Sequence, residues 1–133
     1  MIPKFRVWDI VKKAMSEVQA IVFTEEKVYP IYFKEIRRYI PFREAILMQS
    51  TSMLDVNGKE IFEGDVVRST WFNGYDDRVG YRKVGKVVYM NGYFGIEYPG
   101  EAEQGYPATV LSSAIDVEVI GNIYQNPELM EVG

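Results

Sequence analysis

Short stretches in which apolar and polar residues alternate recur along the chain, separated by residues that favour turns. Phe5, Val7 and Asp9 share one face of the first stretch, and residues 115–120 repeat the same alternation near the other end. Successive side chains of a β-strand point to opposite faces, so a period of two is typical of a half-buried strand. The pattern therefore predicts a mostly β protein.

Glycine-containing turn signals separate these stretches in the second half of the chain. The Asn-Gly pairs at 57–58 and 91–92 supply the two positive φ angles that a tight hairpin turn requires. Gly64 lies between two acidic residues and is predicted to adopt a left-handed conformation, with Asp65 accepting backbone N–H groups of the turn. Val66 then opens a strand that enters the core.

Residues 15–33 are open to two interpretations. By propensity, residues 15–23 could form a helix, but apolar residues on both sides of the tetrapeptide 24–27 favour a β-hairpin. Pro30 has no N–H group to donate, which predicts that its arm lies at a sheet edge or at a bulge. A further strand is predicted at 42–48.

The second half of the chain is predicted to form about five short strands. The polar, glycine-flanked residues 73–80 are expected to form a loop between two of them. Short strands at this spacing suit a small, bent barrel of the SH3-like kind, although the periodicity equally allows another small barrel such as an OB-fold. We predict an N-terminal β subdomain (1–50), an SH3-like barrel (51–125) and a tail (126–133).

Charge is divided unevenly between the two halves. Residues 1–50 carry nine Lys/Arg and six Asp/Glu, a net charge of +3, whereas residues 51–133 carry six and thirteen, a net charge of −7. Opposite charges favour contacts between copies, so a homo-oligomer, most simply a dimer, is expected. The acidic total argues against a dedicated nucleic-acid clamp. A local basic run is explained most simply as a solvated face; it comprises Lys34, Arg37, Arg38 and Arg43.

The composition excludes several kinds of chemistry. The chain contains no cysteine, so a disulfide, a thiol nucleophile and a zinc–thiolate site are impossible. It contains no histidine, the commonest general base and transition-metal ligand. The carboxylate pair Glu63/Asp65 is explained by turn formation, and the pair Asp76/Asp77 by a polar loop tip. We expect no enzymatic activity, no metal and no cofactor.

No membrane or secretion signal is evident in the sequence. The first residues lack the apolar core of a signal peptide. No apolar run approaches the roughly 20 residues that span a bilayer. A cytoplasmic protein with no membrane contact is expected.

Aromatic and basic side chains are interleaved around the predicted 73–80 loop. Such a combination on a rigid barrel can bind a peptide or stack on unpaired nucleotides, but the rings could instead fill the core or a subunit interface. Under the binding interpretation, the candidate residues are Trp71, Tyr75, Arg78, Tyr81, Arg82 and Lys83.

Four segments resemble the YopX family of phage and prophage proteins. They are FRVWD at Phe5–Asp9, LMQ followed by Thr51, DVNGKEIFEGDVV at 55–67 and VIGNIYQNPEL at 119–129. One departure is Ser52-Met53, where the family pattern has Gly-Leu. The resemblance implies a mostly β protein with a C-terminal SH3-like barrel, found in a bacterial host cell, and it implies no established activity.

Two classes of function remain. The first is a non-catalytic binding or assembly module that engages itself or a host or phage protein. The alternative is a nucleic-acid-binding accessory protein of phage replication or expression. The acidic charge of the chain favours the first class.

Overall fold

A computed structural model describes residues 4–31, 37–73, 76–101, 103–105 and 107–130, of which 72, 73 and 76–81 are described by their backbone only. The chain forms two compact units, Met1–Ser50 and Thr51–Gly133. Antiparallel strands dominate both units, which confirms the prediction of a mostly β protein. None of the helical turns in the described ranges has the length and apolar character needed to cross a membrane.

The first unit is built on a β-meander. Its strands are β1 (Phe5–Asp9), β2 (Ala14–Val22), β3 (Lys27–Pro30), β4 (Ile40–Pro41) and β5 (Ala45–Leu54). They lie in the order β4-β3-β2-β1-β5, and β5 continues past the end of the unit. Val7, Val28 and Ile40 form the core of this unit and are fully buried. Alternating burial along β1 follows the sequence pattern.

The hairpin interpretation of residues 15–33 is correct where the structure describes them. β2 and β3 pair in an antiparallel manner, with a register shift between Val18 and Ala20. Pro30 pairs with Val18 at this shift, and the ladder between β3 and β4 involves only Lys27 and Val28. Pro30 is therefore accommodated at a bulge, where its missing N–H group costs no regular hydrogen bond. The strand predicted at 42–48 begins at Ala45, because residues 42–44 form a 3₁₀ turn.

The second unit contains the longer strands. They are β6 (Glu60–Phe62), β7 (Asp65–Asn73), β8 (Asp76–Met90), β9 (Tyr93–Glu97), β10 (Thr109–Val110) and β11 (Ile115–Asn122). β6 lies beside β5, and the other five strands form a sheet in the order β10-β9-β8-β7-β11. Two further 3₁₀ turns, Leu111–Ser113 and Pro127–Met130, follow β10 and β11.

The predicted closed barrel is not found. Among the described strands, β10 pairs only with β9 and β11 only with β7, so the five-stranded sheet stays open. The physical reason is local. β10 is two residues long, and the chain then enters the 3₁₀ turn before β11 begins. No ladder can therefore form between β10 and β11 over that length.

The loop predicted at 73–80 is largely strand. β8 already begins at Asp76, and its backbone pairs Gly80 with Phe72 and Asp76 with Asn73, across a register shift. The polar composition and the glycines suggested a loop. Backbone N–H and C=O groups can nevertheless pair across a hairpin whatever the side chains are, and a long partner strand provides that pairing.

Two of the three turn predictions are confirmed as made. Asn91 and Gly92 have φ angles of 52° and 84°, and Gly64 has a φ angle of 88°. At 57–58 only Gly58 has a positive φ angle (79°), so the prediction of two such residues is wrong there. Asp55 explains the difference: its carbonyl accepts the Gly58 N–H at 3.0 Å, and its N–H donates to the Lys59 carbonyl at 2.8 Å. The connection is therefore longer than a two-residue turn.

One apolar cluster forms the core of the second unit. Its buried members come from β6, β7, β8, β9, β11 and two connections, and Trp71 and Met53 are half-buried against them. The buried members are Ile61, Val67, Val87, Ile96, Tyr98, Leu111 and Val117.

Candidate binding surface

Trp71 packs against the core of the second unit. It lies on β7, and its indole Nε1–H donates to the Tyr98 hydroxyl at 2.8 Å. The two rings meet edge to face with centroids 5.5 Å apart. Ser69, two residues earlier on the same face, also hydrogen-bonds the Tyr98 hydroxyl at 2.7 Å. Tyr98 is 2% exposed, so its hydroxyl is a buried polar group satisfied by two side chains.

Lys83 extends across these rings. Its partner on β7 is Ser69, so both side chains point to the core face of the sheet. The Lys83 Nζ lies 4.6 Å from the centre of the Trp71 ring and 4.3 Å from that of Tyr98. It also forms a salt bridge with Glu101 at 3.4 Å. A cation over two aromatic faces is stabilising, and its charge is engaged within the unit.

Arg82 lies on the opposite face of the sheet. Its side chain is exposed and donates to the Thr70 hydroxyl at 2.8 Å. Nearby, Arg68 pairs with Glu118 of β11, and this hydrogen bond from Arg68 lowers the pKa of Glu118. The six predicted site residues are therefore not one surface: Trp71 and Lys83 are brought together on the core face, whereas Arg82 lies behind them.

The other predicted site residues cannot be placed in the same way. Tyr75 lies outside the described residues. Arg78 and Tyr81 belong to β8, where only their backbone is described, and Tyr81 is the backbone partner of Trp71.

Two buried carboxylates organise the backbone of the second unit. Asp55 accepts three backbone N–H groups, from Asn57 at 2.9 Å, Lys59 at 2.8 Å and Val119 at 2.9 Å. Burial by itself raises the pKa of Asp55, but these hydrogen bonds outweigh it and the pKa is lowered. Asp65 accepts the Phe62 N–H at 2.7 Å, as the turn prediction expected. Both carboxylates thus hold turns in place.

The basic run in the first unit is partly neutralised by acids. Arg37 pairs with Asp9 at 2.9 Å and with Glu44 at 2.7 Å, and Arg43 lies 3.5 Å from Glu44. Burial by itself raises the pKa of Asp9. The hydrogen bonds from Arg37 and from the backbone N–H groups of Val11 and Lys12 outweigh it, so the pKa is lowered. Lys34 is not among the described residues. In the ranges that the structure covers, no group of three or more acidic side chains is arranged to hold a metal.

An apolar surface on the second unit was not anticipated from the sequence. Two neighbouring clefts, of about 380 Å³ and about 340 Å³, are separated by the chain at Leu111–Ala114, which lines both. Three aliphatic side chains that line them are exposed by 46–65% of their surface: Leu54, Val56 and Ile115. We call this surface the two-cleft face. Trp71 lines the smaller cleft, so one predicted site residue does belong to it.

Asp55 is the reason why this surface is apolar. It sits between Leu54 and Val56 and is itself only 8% exposed, whereas its neighbours are 65% and 57% exposed. Just past the end of β5, the carboxylate thus points inward to its three N–H donors, and its two aliphatic neighbours point outward. An acidic residue flanked by two aliphatic residues beside an Asn-Gly turn was the available signal.

A third and larger cleft of about 570 Å³ has a mixed lining. Its lining combines the apolar residues Ile123, Pro127 and Met130 with the charged residues Lys86, Glu97 and Glu103. Lys86 and Glu97 pair with each other at 3.6 Å. The charges of Lys86 and Glu97 are therefore already engaged with each other and are not free to bind a ligand.

Comparison with known proteins identifies the family. Among solved structures, the chain is similar to protein EF1440 from Enterococcus faecalis, with 27% sequence identity and a TM-score of 0.62 over 98% of this chain and 99% of that chain. It is also similar to protein yopX from Bacillus subtilis, with 25% identity and a TM-score of 0.55 over 98% and 97%. The comparison with curated proteins gives no match. The family model described as YopX protein matches residues 4–131, and the chain therefore belongs to the YopX family.

Proposed function

We propose that this chain is a non-catalytic, protein-binding module of a phage or prophage, acting in the cytoplasm of the bacterial host. The observation that carries the proposal is the two-cleft face. Leu54 and Val56 leave more than half of their surface in water, beside clefts lined by further apolar residues. Exposed aliphatic side chains that border concave surfaces mark sites at which a protein partner can exclude water.

The state of the buried acids supports a non-catalytic role. A carboxyl group acting as a general acid near neutral pH needs a pKa raised towards the working pH. Asp9 and Asp55 have lowered pKa values, and both are occupied by hydrogen bonds from the backbone or from Arg37. They stay ionised and serve the fold.

We further infer that the second unit is an open relative of the SH3-like barrels. Support comes from the strand order β10-β9-β8-β7-β11 and from the 3₁₀ turn between β10 and β11. In this arrangement the smaller cleft lies where the sheet fails to close, between Thr109 on β10 and Thr70 on β7, with Trp71 in its lining. The open side of the sheet thus becomes part of the binding surface.

The proposed surface differs from the aromatic segment suggested by the sequence. Lys83 is committed to the rings of Trp71 and Tyr98 and to Glu101, so its charge contributes little to a partner. Trp71 serves both the core and the smaller cleft. Arg82 is exposed on the opposite face of the sheet from Lys83, and its guanidinium donates to Thr70 at the edge of the smaller cleft. A nucleic-acid partner would need several such cations on one surface.

Capture of partners from cells that carry the phage or prophage tests the proposal. The tagged protein should retain a protein partner, which includes untagged copies of itself, after nuclease treatment. The variant Leu54→Ser/Ile115→Ser should lose that partner and stay folded, because both side chains are exposed. Tyr89→Ser is the matched control, since Tyr89 is 51% exposed on the β8–β9 hairpin. A partner that binds the double variant equally well contradicts the proposal, and a partner lost on nuclease treatment supports the nucleic-acid alternative.

A further inference from the structure

We propose that the partner of the two-cleft face is a second copy of this chain, which inserts the tip of its β1–β2 hairpin, Ile10–Lys13. The inference rests on the proposed function, because it assumes that the two-cleft face binds protein, and it specifies what binds there. The tip and the face match in three respects: exposed apolar side chains, opposite charge and a preformed backbone.

The tip presents two aliphatic side chains followed by two lysines. Ile10 and Val11 are 46% and 57% exposed, and Lys12 and Lys13 are also exposed. Neither lysine pairs with an acid in the part of the chain that the structure describes, whereas Arg37 nearby is held by two carboxylates. The tip therefore has apolar anchors and free positive charge next to each other.

The tip is also held in one conformation. The Asp9 carboxylate accepts the N–H groups of Val11 and Lys12, each at 3.0 Å. The Ile10 N–H donates to the Glu44 carbonyl at 3.0 Å. Arg37 holds the Asp9 carboxylate from its other side at 2.9 Å. A preformed tip loses little conformational entropy on binding, which favours association.

The two-cleft face offers the complementary chemistry. Its larger cleft is lined by two acidic residues, Asp55 and Asp116, and by no basic residue. Asp55 is occupied by its backbone donors, so Asp116, which is exposed at the rim, is the acid available to a lysine. The net charges of the two halves of the chain favour the same pairing: residues 1–50, which include the tip, carry +3, and residues 51–133, which include the face, carry −7. Opposite charges steer the tip towards the face and exclude acidic competitors.

The other exposed tip of the first unit fits less well. Phe23 is 74% exposed at the β2–β3 turn, but it packs edge to face on Phe42 and is followed closely by Glu25 and Glu26. Two acids would approach a face whose own rim is acidic. Charge therefore selects the β1–β2 tip, and Phe23 provides a control position on the same unit.

A contact between two different surfaces has a consequence for assembly. If both contacts form reciprocally between two copies, they close a dimer; if they do not close, copies add head to tail. In either case each copy contributes one tip and one face. Two damaged variants can then complement each other, which an association through a single shared surface cannot do.

Complementation between a tip variant and a face variant tests the inference. The tip variant is Ile10→Ser/Val11→Ser and the face variant is Leu54→Ser/Ile115→Ser, all at exposed positions. Sedimentation velocity should show self-association of the wild-type chain and of the Phe23→Ser control. Each double variant alone should be monomeric. An equimolar mixture should recover association as a one-to-one pair, because one copy supplies an intact tip and the other an intact face.

Several outcomes overturn the inference. They are a wild-type chain that is monomeric, a double variant that still self-associates, and a mixture that associates no more than either variant alone. Circular dichroism of each variant separates loss of contact from loss of fold, and recovery in the mixture itself requires folded partners. If the inference fails but Leu54→Ser/Ile115→Ser still loses a partner captured from cells, the proposed function stands with a different partner.

Discussion

Ser52 occupies a backbone conformation that favours glycine. Its φ angle is 63°, in the left-handed region, and it lies within β5 beside the buried Thr51. A non-glycine residue in that region costs about 1–2 kcal/mol, because Cβ approaches a carbonyl oxygen. Glycine adopts this conformation without that cost, so the chain carries a strained serine at this position.

Ser52→Gly is therefore expected to stabilise the protein. Relief of strain is offset in part by the greater freedom of glycine in the unfolded chain, about 0.4–1 kcal/mol, so a net gain of roughly 0.5–1 kcal/mol remains. Urea unfolding would measure it as a higher midpoint at unchanged slope. Ser112→Gly is the control, since Ser112 is exposed and has no positive φ angle, and it should lower the midpoint. Equal effects at both positions would argue against strain at Ser52.

The Asp55 carboxylate makes stability depend on pH. Its pKa in the folded state is lowered from the ordinary value of 3.8, so the folded chain binds fewer protons than the unfolded chain in that range. Its contribution is fully present above pH 3.8 and is lost as the pH falls through the lower, folded-state pKa. Asp55→Asn should unfold more easily at neutral pH and should lose less stability on acidification than the wild-type chain. Parallel stability curves from pH 7 to pH 2 would contradict the assignment.

At the scale of elements, Tyr98 joins three strands of the five-stranded sheet. It follows β9, its hydroxyl receives the Trp71 indole and bonds Ser69 on β7, and Lys83 of β8 lies over its ring. Two polar atoms of β7 therefore depend on one hydroxyl in a site that is 2% exposed. Buried donors left without an acceptor cost far more than a hydrogen bond contributes when it is made.

Tyr98→Phe should lower the free energy of unfolding by about 1–3 kcal/mol, because the ring stays while the shared hydroxyl is lost. Tyr89→Phe is the matched control, because Tyr89 is 51% exposed. Loss of its hydroxyl should change the free energy of unfolding by less than about 0.5 kcal/mol. Thermal or urea unfolding followed by circular dichroism would measure both variants against the wild-type chain. A silent Tyr98→Phe would show that the hydroxyl does not link β7 to Tyr98.

Elements with local signals could be predicted from the sequence, whereas partners across the sheet could not. The alternation in β1 and the turn at Asn91-Gly92 depend on neighbouring residues, and both are as expected. The strand at 76–80 depends on pairing with β7, which no local pattern encodes. At the candidate site, the proximity of Trp71 and Lys83 was expected from the sequence. That both side chains point to the core face follows from the pairing of Lys83 with Ser69 across the sheet, which the sequence does not show.

The apolar surface shows the same limit. Leu54 and Val56 would be assigned inward by hydrophobicity, and their exposure follows from the three N–H groups that draw Asp55 inward. One of these donors, Val119, lies 64 residues away. Such long-range hydrogen bonding to a buried carboxylate decides which neighbouring side chains face the solvent, and the sequence alone does not show that residues 55 and 119 meet.

At the scale of the whole molecule, the charge division predicts how assembly responds to salt. The proposed contact between copies combines lysines of the tip, exposed to water, with Asp116 and the acidic second unit. Exposed charges are screened over about 10 Å at 0.1 M salt and over about 3 Å at 1 M. An apolar contact alone would not be weakened by sodium chloride in this way, since it depends on the exclusion of water.

Self-association should therefore weaken as sodium chloride rises from about 0.05 M to about 0.5 M, where screening shortens the range of the charges severalfold. Lys12→Gln/Lys13→Gln should associate less than the wild-type chain at low salt and should respond less to added salt, because the screened charges are already absent. Arg43→Gln is the matched control, since Arg43 is also basic, lies in the first unit and has a side chain that is 79% exposed. Sedimentation equilibrium at each salt concentration gives the dissociation constants. Association that strengthens with salt in all three proteins would mean that copies meet through apolar surface alone, and the lysines of the tip would then have no part in the contact.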